Sequence, residues 1–216
     1  MKFSSQAVTA YEKSQEQSDS SQTKQWLNPN EIEEGQEVEF IFLEEDPFEF
    51  WEVWGDNVDP NEKSKPFRFL MGDNEGPTDE DILKEMGGLY RRQTSKYANK
   101  RRNIKVGDPR PADSCMAWPV WNCEDKCIQI LKVSQKSLQG QIIKTSMLKK
   151  YRNKMECFNH TIHKGTPGGI VTYTFTSFEQ DDDFDEDKLA KTWEAQECKM
   201  ELLLDNGEPL NPGGSN

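Results

Sequence analysis

Apolar and polar residues alternate with a period of two along several short tracts, the pattern of pleated strands with two distinct faces. In "EVEFIFLEE", Val38, Phe40 and Phe42 interleave with Glu39, Ile41 and Leu43. This predicts a strand that is largely apolar on both faces and is ended by Pro47. "FEFWEVWGD" (48–56) and "KPFRFLMG" (65–72) add two aromatic strands, and the three together predict an antiparallel meander. "SCMAWPVWNC" (114–123), "EDK" and "CIQILKVSQ" (127–135) read as strand, turn and strand. "MECFNHTIH" (155–163), "KGTPGG" and "IVTYTFTSF" (170–178) read as a hairpin. Its last strand sets Val171, Tyr173 and Phe175 on one face and Thr172, Thr174 and Thr176 on the other.

Helical signals are fewer. "PTDEDILKEMGG" (77–88) offers Thr78 as a cap, acids in its first turn and a glycine stop. "SQKSLQGQIIKTSMLKKY" (134–151) offers Ser134 as a cap and predicts an amphipathic helix with Leu138, Ile142, Ile143 and Met147 on one side. "KLAKTWEAQECKMELLL" (188–204) predicts a last helix, which "DNGEPLNPGGSN" cannot continue.

Composition then bounds the domain. Of 216 residues only 33% are hydrophobic and 31% are charged, with a mean hydropathy of -0.93. That implies a small core and a sizeable share of tail and loop. Residues 1–24, rich in Ser, Gln and Glu, predict a flexible N-terminal arm, 25–178 the ordered domain, and 179–216, with "EQDDDFDED", a solvated acidic C-terminal tail. No run is long and apolar enough for a membrane-spanning helix, and the first residues lack the apolar stretch of a secretory signal. The expectation is a cytoplasmic protein with no membrane partner. Five cysteines without regular spacing fit reduced thiols.

Charge changes the picture. The net figure of -12 hides three blocks: 7 Lys/Arg against 22 Asp/Glu in residues 1–87, 17 against 5 in 88–178, and 3 against 12 in 179–216. Nucleic acid binding depends on the field over one face rather than on the total, so the acidic average does not exclude it. The densest basic stretch is "YRRQTSKYANKRRN", holding Tyr90, Arg91, Arg92, Lys96, Tyr97, Lys100, Arg101 and Arg102. It has no apolar periodicity, so its tyrosines have little core to enter and are placed to stack on bases while the cations meet phosphate. Lys105, Arg110 and Trp118 or Trp121 extend the candidate nucleic-acid-binding set, with Lys132, Lys136, Lys149 and Lys150 as weaker members. A solvated basic loop paired with the acidic N-terminal block is the bland alternative.

Strands, a helix and a hairpin carrying basic and aromatic residues resemble a small open barrel of the OB type: mainly β, five-stranded, with helical insertions. More narrowly, "WLNPNEIEEGQEVEFIFLEE", "FWEVW", "MAWPVWNCEDKCIQILKVSQKSLQGQII" and "KMECFNHTIHKGTPGGIVTYTFTSF", spanning about 25–178, resemble the OB-fold single-stranded-DNA-binding proteins of tailed bacteriophages. The resemblance implies sequence-tolerant coating and protection of exposed strands during DNA replication, recombination and repair, in the cytoplasm of a bacterial host. It implies self-association along DNA as a possibility. It also implies that the acidic tail contacts replication proteins such as a DNA polymerase or helicase and competes with DNA for the groove. The charge blocks support the last point independently, because a -9 tail is attracted to a +12 block at low salt.

One departure concerns zinc. Many members of that family carry a Cys/His zinc module, and here only Cys115, Cys123 and Cys127, with His160 and His163 downstream, could furnish ligands. Because Ile128, Gln129 and Ile130 make Cys127 the start of a strand, buried or edge thiols fit better than a metal, and no cofactor is expected. "WNCEDKC" has the wrong spacing for a redox dithiol, and "HKGTPGG" lacks the ending of a phosphate loop. "DDDFDED" has no calcium-loop pattern. With no nucleophile placed beside a base, a non-enzymatic binding protein is expected. The rival class is a protein-interaction adaptor whose basic loop docks an acidic partner.

Overall fold

The computed structural model describes residues 25–54, 66–72, 76–86, 112–180 and 184–210. Residues 37–54 follow one long path antiparallel to a single partner strand. Strand β2 (Glu37–Phe42) and strand β3 (Phe48–Trp54) lie end to end along β5 (Asp113–Asn122), with Phe42 opposite Val120 and Phe48 opposite Ala117. Pro47 lies in the break between them, where no backbone donor is available for a ladder. The antiparallel meander expected of the first three strands is therefore not formed: β2 and β3 do not pair with each other, and only β3 pairs with β4 (Pro66–Leu70).

The remaining strands build outward from this axis. β5 turns through residues 123–126 into β6 (Cys127–Val133), and β6 takes the short β1 (Trp26–Leu27) in parallel on its far edge. β2 pairs on its other side with β7 (Phe158–Gly165), which forms a hairpin with β8 (Thr172–Glu179). The fold is thus mainly β, a mixed open sheet of eight strands, against the five-stranded barrel expected. Among the described residues β8 and β1 stay unpaired with each other, and a helix covers the gap. From α2 (Lys136–Ser146), Gln141 donates from Nε2 to the Tyr173 carbonyl at 2.9 Å and accepts at Oε1 from the Phe175 N–H at 2.9 Å. One side chain thereby satisfies backbone groups that an edge would otherwise leave open.

The inner face of the sheet holds the larger core, with Phe40, Phe42, Trp118, Val120, Leu131, Val133, Ile162 and Phe175 packed under Leu138 and Ile142 of α2. Ile143 and Met147, expected on the same side, are 38% and 62% exposed. At about 100° per residue they fall roughly 140° and 180° from Leu138, which turns them to solvent. The expected Ser134 cap is also absent: Gln135 takes the cap position without a side-chain bond. Gln139 instead fixes the helix by donating to the Ser114 and Val133 carbonyls. His160 is fully buried among Phe40, Phe42 and Phe175. Its Nε2 lies 2.8 Å from the Met155 carbonyl and its Nδ1 2.8 Å from Ser177 Oγ, so both ring nitrogens are satisfied.

Helix α1 (Asp79–Met86) is capped reciprocally by Thr78 and Asp81. It packs Ile82 and Met86 against Val53, Phe67, Phe69 and Ala112. Met86 and Ala112 thus sit in one cluster beside the β3–β4 hairpin.

Beyond β8 the chain differs from the solvated tail expected. Helix α3 (Glu186–Ala195) is capped by Asp185, which accepts from the Lys188 N–H. It stops nine residues short of the expected end at Leu204, and a separate 3-10 turn follows at Met200–Leu203. The break lets Met200, Leu203 and Leu210 reach the outer face of the sheet against Phe50, Cys115, Ala117 and Ile130. Burial of these side chains outweighs helix propensity over 196–204.

Candidate nucleic-acid interface

Alternation along β3, β5 and β6 sends a second set of side chains to the outer face. Phe50 and Glu52 on β3, Cys115, Ala117 and Trp121 on β5, and Ile128, Ile130 and Lys132 on β6 all point away from the inner core. At one end of this face Glu52 is buried with two cations. Arg68 Nε donates to its Oε2 at 2.9 Å, Lys132 Nζ donates to Oε1 at 2.8 Å, and Trp54 Nε1 donates to Oε1 at 3.0 Å. Burial alone would raise the Glu52 carboxyl, but Lys132 and Arg68 outweigh it and hold it below its ordinary value. Two cations thus meet one buried carboxylate, with Asp113 opposite Glu52 across the strand pair, and two exposed or half-buried indoles lie close by. The Arg68 guanidinium lies 5.7 Å from the Trp26 ring centre and 5.5 Å from that of Phe50. Lys132 Nζ lies 5.9 Å from the Trp54 ring centre.

Along this face, among the described residues, run three adjacent cavities. The first, about 410 Å³, is bounded by Glu39, Trp121, Lys126 and Asn159 of the sheet and by Phe184, Lys188 and Leu189. The second, about 270 Å³, shares Trp121, Lys126 and Thr192 with it and reaches Gln25. The third, about 560 Å³, shares Gln25 and is bounded by Trp26, Trp54, Arg68 and Lys132. Two buried amide atoms on this tract, Gln25 Nε2 and Asn159 Oδ1, lack a hydrogen-bond partner. Buried polar atoms are usually satisfied, so such a pair marks a surface that lacks something.

The C-terminal segment covers much of the tract. Arg68 also donates to the Leu203 carbonyl at 2.8 Å, and Asn206 Nδ2 donates to the Pro66 carbonyl at 2.9 Å. Asp185 borders the first cavity, and Asp205 and Glu208 border the third. Carboxylates of the cover thus face the cations of the sheet.

Of the residues named from sequence, Tyr90, Arg91, Arg92, Lys96, Tyr97, Lys100, Arg101, Arg102, Lys105 and Arg110 lie outside the described residues. Trp121 borders two of the cavities. Trp118 does not join it: its ring is 3% exposed, packs against Phe42 and donates from Nε1 to the Glu45 carbonyl. Residues three apart on a strand face opposite ways, so Trp118 and Trp121 could not share one groove. Trp26, Trp54 and Arg68 were not singled out from sequence. The shared face of Glu52 and Trp54 in an alternating strand was the available signal.

The cysteines are free. Burial pushes the Cys115 and Cys123 thiols up to about 12 and Cys198 up to about 11, which keeps them protonated at neutral pH and poor nucleophiles. Among the described residues no three His, Cys, Asp or Glu side chains converge on a metal position, and no helix is long and apolar enough to cross a membrane. Set against protein-family models, curated proteins and solved structures, the chain matches none.

Proposed function

We propose that this chain is a single-stranded DNA-binding protein of phage replication and recombination, built on an OB-type barrel whose outer face receives the strand. The topology supports the fold. With β2 and β3 counted as one bent first strand, β5 and β6 are the second and third, α2 follows the third, and β7 and β8 are the fourth and fifth. In OB folds the face of the second and third strands and the loop between the first and second bind oligonucleotides. Here that loop carries β4, α1 and residues 87–111, which contain the basic stretch.

The observation that carries the reading is the outer face itself. It places Trp26, Trp54 and Trp121 along one tract with Lys126, Lys132 and Arg68, the pairing of stacking platforms with cations that sequence-tolerant strand binding uses. The stretch from Met200 onward supplies competition: Asp205 and Glu208 lie beside Arg68 and Lys132, where phosphates would lie, and strand entry displaces that stretch while helix α3 stays in place. When displaced, it is free to contact replication proteins in the bacterial cytoplasm.

Titration of the full chain with an oligothymidine of about thirty nucleotides, read by tryptophan fluorescence at two salt concentrations, tests the proposal. Saturable quenching that weakens log-linearly with salt is expected. A flat signal with no gel shift would overturn it and favour the basic stretch as a dock for an acidic protein.

A further inference from the structure

Glu39 and Asn159 stand side by side in the first cavity, on neighbouring strands of the outer face. Asn159 donates from Nδ2 to Glu39 Oε1, which fixes the amide with its nitrogen engaged. Its Oδ1 is then left without a partner in a side chain that is only 6% exposed. The cavity wall at this point is a row of acceptors, the Glu39 carboxylate and the Asn159 carbonyl oxygen. The Cys123 thiol, kept protonated by burial and by Glu39, adds no negative charge and hydrogen-bonds to the same carboxylate, which therefore already accepts from Asn159 and from the thiol. Around these acceptors stand the Trp121 indole, the Phe184 ring, the Asp185 carboxylate and the exposed ammonium groups of Lys126 and Lys188.

A ligand for this wall must be flat, bring two adjacent donors on one edge, and carry an anion. Thymine presents one ring N–H between two carbonyls, and cytosine and adenine present an amino group beside a bare ring nitrogen. Each of these sets an acceptor against the carboxylate. Guanine alone of the four presents a ring N–H next to an amino group. The volume of about 410 Å³ lies within the range of small-molecule sites.

We infer that the first cavity is a guanine pocket, in which Glu39 and Asn159 accept from the N1–H and N2–H₂ edge, Trp121 and Phe184 flank the base, and Lys126 and Lys188 meet the attached phosphate. This deepens the strand-binding proposal and rests on it for the source of the base, since a guanine in a strand and a free guanine nucleotide share the recognised edge. It adds a base preference at one position of an otherwise sequence-tolerant tract.

The test titrates the full chain with dGMP, dAMP, dCMP and dTMP, followed by tryptophan fluorescence. In parallel it compares oligothymidine with the same oligonucleotide carrying one central guanine. Preference for dGMP by about tenfold or more is expected, the discrimination that one good bidentate base contact gives. Glu39→Gln replaces a carboxylate oxygen with an amide donor and should abolish that preference. Lys188→Ala, at an exposed helical position that cannot disturb folding, should weaken dGMP but not guanosine. Equal binding of the four nucleotides, or a preference that Glu39→Gln leaves intact, overturns the pocket. Competition by N-acetylarginine amide without binding of dGMP also overturns it and assigns the acceptors to a protein guanidinium. The two proposals separate cleanly: oligothymidine quenching without guanine preference sinks this one alone, and dGMP binding without oligothymidine quenching sinks strand coating and makes the pocket a free-nucleotide site.

Discussion

The two faces of the sheet are built on different principles. The inner face is closed by aromatic and aliphatic side chains under α2, and its one buried imidazole, His160, has partners on both ring nitrogens. The outer face is closed by the chain's own C-terminal segment. It keeps a charged cluster, three tryptophans and two unpartnered amide atoms beneath or beside that cover. A closely packed interior holds a fold together, whereas a partly covered surface with cavities beneath its cover is suited to exchanging one occupant for another.

The sharpest way to break this contrast is to open a cavity on each side. Phe42→Ala removes a ring from the centre of the inner core and should cost about 3–5 kcal/mol in urea unfolding. Leu203→Ala lies at the lower end of the range for its type, about 2 kcal/mol, because a 3-10 turn docked by few residues can settle into the space. Equal costs would mean that the outer cover is as fixed as the core.

Acid attacks the inner face through His160. Burial lowers its pKa to about 4 from 6.5, with the bond to the Met155 carbonyl opposing this only in part. Because the unfolded chain binds the proton first, stability is fully present above about pH 6.5 and falls as the pH drops toward 4. The loss approaches about 3 kcal/mol for a shift of this size. Urea midpoints measured across that window for the native protein and for His160→Gln should show the decline only in the native protein, beyond what the carboxylates contribute to both.

The smallest expected effect on stability falls on the outer face. Trp54 is 37% exposed. Trp54→Ala should cost about 1 kcal/mol in unfolding, because its indole donates to the buried Glu52 carboxylate, while weakening oligothymidine binding by roughly 1–3 kcal/mol. A large loss of stability with unchanged binding would place Trp54 in the core instead of the interface.

The sequence made the elements legible more readily than their partners. Period-two alternation located the strands from Glu37 to Glu179 to within two residues, except that β7 begins three residues later than read, after a 3-10 turn at Met155–Cys157, because alternation depends only on local geometry. It could not show that β2 and β3 are one path along β5, since strand pairing is decided by residues about sixty to eighty positions apart. The C-terminal segment was hidden by its own charge. With 12 acidic residues after Phe178, the block reads as a tail, and Met200, Leu203 and Leu210 follow no single period that would mark a buried face. The candidate interface was legible only through Trp121 and, as a weaker candidate, Lys132. Charge density drew attention to 90–103, while Trp26, Trp54 and Arg68 lie in separate parts of the chain and meet only after folding.

Arg68 touches three generations of the chain. Its guanidinium joins Glu52, sixteen residues before it, to the carbonyl of Leu203, 135 residues after it. During synthesis from the N-terminus, the inner core can close once β8 has emerged, but the outer face waits for the final turn of the protein. Every nascent molecule therefore passes through an interval in which its tryptophan tract is bare and its cover does not yet exist.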